Sequence, residues 1–144
     1  MTNSLVYLDS NVLVYAFCEQ PDTEKKQQKS IEILANLIEY NNLCVSNLTI
    51  CEYSYILKRL KESDEKIIKS IEILKMFIKQ SDSMLSTRLN EILLTQKLFT
   101  NSFDCYHLAF AENVCCTKLI TFEKDFNKLK HLAKIEIVII NTDD

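Results

Sequence analysis

The sequence predicts an α/β fold in which a central parallel sheet of four to five short strands is flanked by helices in a three-layer sandwich. Three observations lead there. Short apolar runs rich in β-branched residues alternate along the 144 residues with segments of helical periodicity. The runs lack polar alternation, as strands do when both faces of their sheet are covered. The helical segments between them supply the crossovers that parallel strands require.

The first run, Leu5-Val6-Tyr7-Leu8, ends in Asp9 and reads as a buried strand, followed by a helix of about two turns from Asn11. After Pro21, residues 24–40 place Ile31, Leu34, Ala35 and Ile38 on one helical face, and residues 43–46 form a second strand. Helices are predicted at 49–61 (Ile50, Tyr53, Leu57, Leu60), at 64–79 (Ile67, Ile71, Leu74, Ile78) and at 88–99, with a weak strand signal at 83–86. Residues 103–114 are apolar almost all round, the mark of a buried helix, with Asp104 in its first turn. Two further apolar runs, 118–122 and 135–140, are strands, and 123–129 between them suits a short helix. The chain has no Gly and one Pro, so Asn is expected at the turns, at Asn41-Asn42, Asn90, Asn101 and Asn141.

Length and composition describe one domain spanning residues 1–144, with 47% hydrophobic and 26% charged residues. No run reaches the roughly 20 apolar residues of a membrane span, and the N-terminus lacks the basic leader of a signal peptide, so a cytoplasmic protein is expected. A net charge of −3 argues against a binder that grips nucleic acid through a strongly basic surface. The six cysteines (Cys18, Cys44, Cys51, Cys105, Cys115, Cys116) include no C-x-x-C pair and are read as small buried hydrophobes.

Chemistry resides in acids placed by these elements. Asp9 ends the first strand and Glu123 follows the strand at 118–122, so both are expected at the carboxyl edge of the sheet, where α/β folds bind ligands. Glu52 and Asp104 lie in the first turns of helices that begin near the same edge. Two such charges about 4 Å apart repel by roughly 4 kcal/mol at an effective dielectric near 20, which a divalent cation relieves. Oxygen donors suit Mg²⁺ or Mn²⁺, and a carboxylate-held pair of such ions is a recurring apparatus for phosphodiester hydrolysis. Each acid also has a plainer reading: Asp9 as an N-cap, Glu52 as the third position of a Thr49-Ile50-Cys51-Glu52 capping box, Asp104 as a first-turn acid favoured by the helix dipole. Their joint placement inside apolar segments favours a site.

The sequence resembles the PIN-domain family in four blocks. They are Val6-Tyr7-Leu8-Asp9-Ser10-Asn11-Val12-Leu13-Val14-Tyr15-Ala16, Val45-Ser46-Asn47-Leu48-Thr49-Ile50-Cys51-Glu52, Phe103-Asp104-Cys105-Tyr106-His107-Leu108-Ala109-Phe110-Ala111, and Leu119-Ile120-Thr121-Phe122-Glu123-Lys124-Asp125-Phe126. The nearest likeness is to the compact VapC-type toxins of toxin–antitoxin pairs. The resemblance implies a PIN-like sandwich and a Mg²⁺- or Mn²⁺-dependent endoribonuclease held inactive by a small antitoxin. It makes Asp9, Glu52 and Asp104 metal ligands, supported through hydrogen bonds by Ser10, Asn11 and Thr121. The fourth block commonly offers Asp where this chain has Glu123, so Glu123 is expected to reach metal through water.

Of the two acids in that block, Glu123 is expected to face the cluster and Asp125 to cap a helix starting near Phe126. Lys58 and Arg59, with Lys61, Lys124 and Lys128, are candidate RNA contacts, although most such charges are solvated helix faces. His107 and His131 are candidate acid–base groups, but the apolar neighbours of His107 favour a packed side chain. The apolar helices leave room for a homodimer. The competing functional reading is a non-catalytic RNA-binding or protein-interaction module on the same fold.

Overall fold

Strand β1 (Val6–Leu8) is the centre from which the sheet grows. The computed structural model describes residues 4–142, so the first three and last two residues of the expected domain lie outside the described residues. β2 (Leu43–Cys44), β3 (Lys118–Thr121) and β4 (Glu136–Ile139) join β1 in one parallel sheet of order β2-β1-β3-β4. The register sets Val6 beside both Leu43 and Lys118, and Leu119 beside Ile137. Residues 77–79 extend this edge by a parallel bridge between Val45 and Ile78, which makes the expected count of four to five strands apt.

Parallel pairing follows from the crossovers. Helices α1 (Ser10–Phe17) and α2 (Glu24–Glu39) link β1 to β2, and α3 (Asn47–Arg59), α4 (Asp64–Leu74), α5 (Met84–Thr95) and α6 (Ser102–Asn113) link β2 to β3. A 3-10 segment, Lys124–Leu129, carries the chain from β3 towards β4. Because successive strand residues point to opposite faces, Val6 and Leu8 enter a core with Leu13, Leu34, Tyr53, Leu57 and Leu74. Tyr7 enters the opposite core with Ile92, Leu108, Leu119, Phe126 and Leu129. The helices therefore form layers on both sides, α1 to α4 on one and α5 with α6 on the other.

Several local expectations shift. Residues 83–86 are not a strand: α5 runs through Met84–Thr95, one turn before the predicted start, and Asn90 lies inside it. The helix at 64–79 stops at Leu74 and tightens into a 3-10 turn, Lys75–Phe77, because residues 77–79 are drawn into the bridge with Val45. The α2 face is rotated: Ser30, Leu34 and Leu37 are buried while Ile31 and Ala35 are exposed. α3 begins at Asn47 under a Ser46 cap rather than at Thr49, since Ser46 Oγ accepts from Thr49 N at 3.1 Å.

With no glycine available, left-handed backbone falls on Asp22, Asn41, Lys61 and Cys115. Of the expected asparagine turns, Asn41 takes this conformation, and Asn101 instead caps α6 through its side chain, accepting from Phe103 N at 2.7 Å. Cys18, Cys44, Cys105 and Cys116 are buried as expected, but Cys51 and Cys115 are exposed, Cys115 because it makes the left-handed exit from α6.

Candidate active site

From β1 the chain crosses to β2 on one side, while β3 pairs on the other, so the order reverses between β1 and β3. That reversal opens a crevice at the carboxyl ends of these two strands. Asp9 stands at the end of β1 and Thr121 at the end of β3.

Asp9 is both cap and site residue. Its Oδ1 accepts from Ser10 N at 2.8 Å at the start of α1, and its Oδ2 accepts from Thr121 Oγ1 at 2.8 Å. Asn11 closes the arrangement, donating through Nδ2 to Thr121 Oγ1 at 3.2 Å and accepting from Phe122 N at 3.2 Å. The expected supporting residues Ser10, Asn11 and Thr121 are therefore around Asp9, with Ser10 acting through its backbone rather than its hydroxyl.

Glu52 lies in the second turn of α3 and is not the end of a capping box, because Ser46 is the cap and Thr49 its partner. Its Oε1 instead accepts from His107 Nε2 at 2.7 Å. His107 is on α6, three residues after Asp104, and its Nε2 is also 3.7 Å from Asp9 Oδ1. Among the described residues, Asp9, Glu52 and His107 bring potential ligand atoms within 4.8 Å of one another, with Asp104 and Glu123 outside that set.

Asp104 is nevertheless tied to the cluster through its field. Burial, then the charges of Asp9, Glu123 and Glu52, push its carboxyl up to about 7, against the opposing pull of His107. Burial likewise raises Asp9, partly offset by His107 and by the hydrogen bonds from Thr121 and Ser10. On His107, burial disfavours the charged ring, but the hydrogen bond to Glu52 and the charges of Asp9, Glu52 and Asp104 outweigh it and raise its pKa.

Glu123 is at the exposed rim and caps the 3-10 segment, its Oε1 accepting from Asp125 N at 3.1 Å. Asp125 does not cap: the turn begins at Lys124, two residues before the predicted start near Phe126, and Asp125 pairs with Lys128 at 3.4 Å. Of the candidate RNA contacts, Lys58 pairs with Asp64 at 2.5 Å, and the Arg59 guanidinium lies 5.8 Å from the Tyr55 ring centroid. Arg59, seven residues after Glu52, returns to nearly the same helix face, whereas Lys58 is turned about 120° from it.

The sequence reading left out the polar role of His107 and Tyr7. His107 is packed, as expected, yet both its ring nitrogens are engaged. The available signal was spacing: residues i and i+3 share a helix face, which sets His107 beside Asp104. The donors present fit a divalent cation: two buried or half-buried carboxylates converge beside an imidazole, and a third carboxyl is raised to about 7 by burial and then by the charges of its neighbours. The ring nitrogen lies within the cluster but is engaged by Glu52, so the expected ligands remain the carboxylate oxygens.

The family model for the PIN domain matches residues 6–132, and the chain belongs to that family. Its fold is similar to solved structures of low sequence identity. One is VapBC2 from Rickettsia felis bound to a DNA fragment from its promoter, with TM-score 0.68, 18% identity and coverage of 95% of this chain and 99% of that one. A second is VapC20 from Mycobacterium tuberculosis, described as a sarcin-ricin loop cleaving toxin, with TM-score 0.67, 13% identity and coverage of 87% and 95%. A toxin–antitoxin complex from Klebsiella pneumoniae gives TM-score 0.65, 19% identity and coverage of 94% and 96%. No curated protein matches the chain.

Proposed function

We propose that this protein is a metal-dependent endoribonuclease that hydrolyses RNA phosphodiester bonds and acts as the toxin of a toxin–antitoxin pair. The observation that carries the reading is the convergence of Asp9 and Glu52 beside His107 at the switch point of a parallel sheet, with Asp104 and Glu123 near enough for the charges to act on one another. Asp9, Glu52 and Asp104 are the residues that would hold Mg²⁺ or Mn²⁺, with Glu123 at the rim. A divalent cation there supplies charge neutralisation for the phosphodiester and increased acidity for the attacking water.

The chain's own groups prepare the site. The Thr121 hydroxyl and the Ser10 amide fix the two oxygens of Asp9, and Asn11 ties Thr121 to the backbone of Phe122. Arg59, which shares a face of α3 with Glu52, is the better candidate for an RNA phosphate than Lys58, which pairs with Asp64. The similar structures described as a toxin and as a toxin–antitoxin complex support a small antitoxin as partner. No described helix is long and apolar enough to cross a membrane. A cytoplasmic location and a homodimer belong to the same proposal.

The test is incubation of the purified chain with a mixed RNA pool, with and without Mg²⁺ or Mn²⁺, followed by mapping of the new ends. Cleavage that needs the cation is expected. Metal-loaded protein that leaves every RNA intact overturns the nuclease and favours the non-catalytic module. For the toxin, expression alone is expected to slow growth and a small co-expressed partner to restore it; normal growth with abundant active protein overturns that part.

A further inference from the structure

Tyr7 places a phenolic hydroxyl in the fully buried first strand, where an unpaired polar group would be costly. Its oxygen has three partners: Ser46 Oγ at 2.8 Å, Thr49 Oγ1 at 2.7 Å and His107 Nδ1 at 2.5 Å. A phenol has one proton to give and two lone pairs to receive. The phenol can give its own O–H to Nδ1 of a neutral His107 while the aliphatic hydroxyls donate to it, or accept from Nδ1–H of a charged ring. In both cases the ring carries a proton on Nε2, which donates to Glu52 Oε1 at 2.7 Å.

The other neutral tautomer would turn the bare Nε2 lone pair towards Glu52 at 2.7 Å and Asp9 at 3.7 Å, setting acceptor against acceptor. The carboxylates therefore fix the proton on Nε2, and the Tyr7 hydroxyl, able to donate or accept at Nδ1, anchors the other side of the ring. The partners of Tyr7 come from the start of α3 and from α6, 39 to 100 residues away in sequence, and meet on its oxygen, while the far side of the His107 ring holds Glu52, which is itself a quarter exposed. A free glutamate on a helix samples several rotamers. Held by His107, this one is kept beside Asp9.

We propose that His107, seated on Tyr7, is a positioning residue that holds the Glu52 carboxylate by a hydrogen bond in the orientation in which Glu52 and Asp9 together receive a divalent cation. The inference rests on the nuclease reading for its purpose and on the hydrogen bonds for its geometry. A histidine that only fills the core would be replaceable by an apolar side chain of similar size. A direct nitrogen ligand would need Nε2 without its proton.

The first measurement uses the metal-free full chain with ¹⁵N-labelled histidine, of which there are two, His107 and His131. His107 is expected to carry a proton on Nε2, and Glu52→Gln is expected to move that resonance. A bare Nε2 overturns the inference, as does a resonance unmoved by Glu52→Gln. The second measurement is Mn²⁺ binding to the full chain. His107→Leu is expected to weaken it by about 10–100-fold, as loss of a group that orients a ligand does. His107→Gln, whose amide N–H stands near the place of Nε2–H, is expected to restore most of it. Equal Mn²⁺ affinity in wild type and His107→Leu overturns the inference alone. An imidazole nitrogen coupled directly to bound Mn²⁺ in the electron spin echo spectrum does so too, in favour of ligation. Absence of Mn²⁺ binding by the wild type overturns the nuclease reading and this use of His107 with it, while the ring's protonation is read separately.

Discussion

Replacing Asp104 by Asn removes one negative charge from the cluster while keeping its shape, and the structure sets the size of the effect. The carboxyl is pushed from 3.8 to about 7, with burial the largest cause and the charges of Asp9, Glu123 and Glu52 adding to it. A carboxyl whose folded pKa lies above its unfolded value destabilises the fold. The cost is absent below about pH 4, where both states are protonated, grows as pH rises, and is complete above about pH 7. At about 1.4 kcal/mol per pH unit the interval corresponds to about 4 kcal/mol. Because the side chain is only half-buried, solvent screening reduces this to about 1–2 kcal/mol. Asp104→Asn is therefore expected to raise the metal-free Tm by about 3–6 °C at about pH 8 and to lose that advantage at about pH 4. The assay is thermal unfolding followed by circular dichroism in EDTA, repeated with excess Mn²⁺. The wild type is expected to gain more from the cation than the variant, since a ligand stabilises only as far as it binds the folded state. A variant no more stable than wild type in EDTA at the higher pH, with an equal gain from Mn²⁺, would refute the reasoning: the acids would then neither crowd one another nor hold the ion.

Three other substitutions probe different parts of the molecule. Asp9→Asn is expected to lower metal-dependent cleavage by roughly a hundredfold or more while the circular dichroism spectrum is kept, because Ser10 N can still donate to the remaining oxygen and the new amide N–H can donate to Thr121 Oγ1; wild-type cleavage rates would remove Asp9 from the site. Glu123→Gln is expected to weaken cleavage more than Asp125→Asn and less than Asp9→Asn, and the reverse order in end-mapping assays would make Asp125 the fourth acid. Arg88→Met leaves Glu112 without the guanidinium that lies 2.5 Å from it, in a pair whose side chains are 12% and 6% exposed. It is expected to cost about 3 kcal/mol in denaturant unfolding with specific activity unchanged, and a loss under about 0.5 kcal/mol would show that Lys134 N and solvent suffice for Glu112.

The strands and most helices were legible because their signals are local. β1 and β3 are continuous apolar runs, α3 and α6 lie close to their predicted spans, and Asp9 and Thr121 close their strands where the alternation of run and helix predicts a site. Where local rules competed, neighbours in space decided. The pattern at 31–38 allowed more than one apolar face for α2, and the sheet took Leu34 and Leu37 while leaving Ile31 outside. Thr49 and Glu52 matched a capping box, but Ser46 could cap one turn earlier, and that start left the Glu52 carboxylate to accept from His107. The same sequence by itself determined that acids would meet at the carboxyl edge of a parallel sheet, because strand ends and helix starts are set within a few residues of each acid. Only the tertiary structure decided which groups hold those acids in place: Tyr7 and His107 are 100 residues apart in the chain, and nothing in the periodicity of either segment encodes which polar atom will lie opposite the other once both are buried.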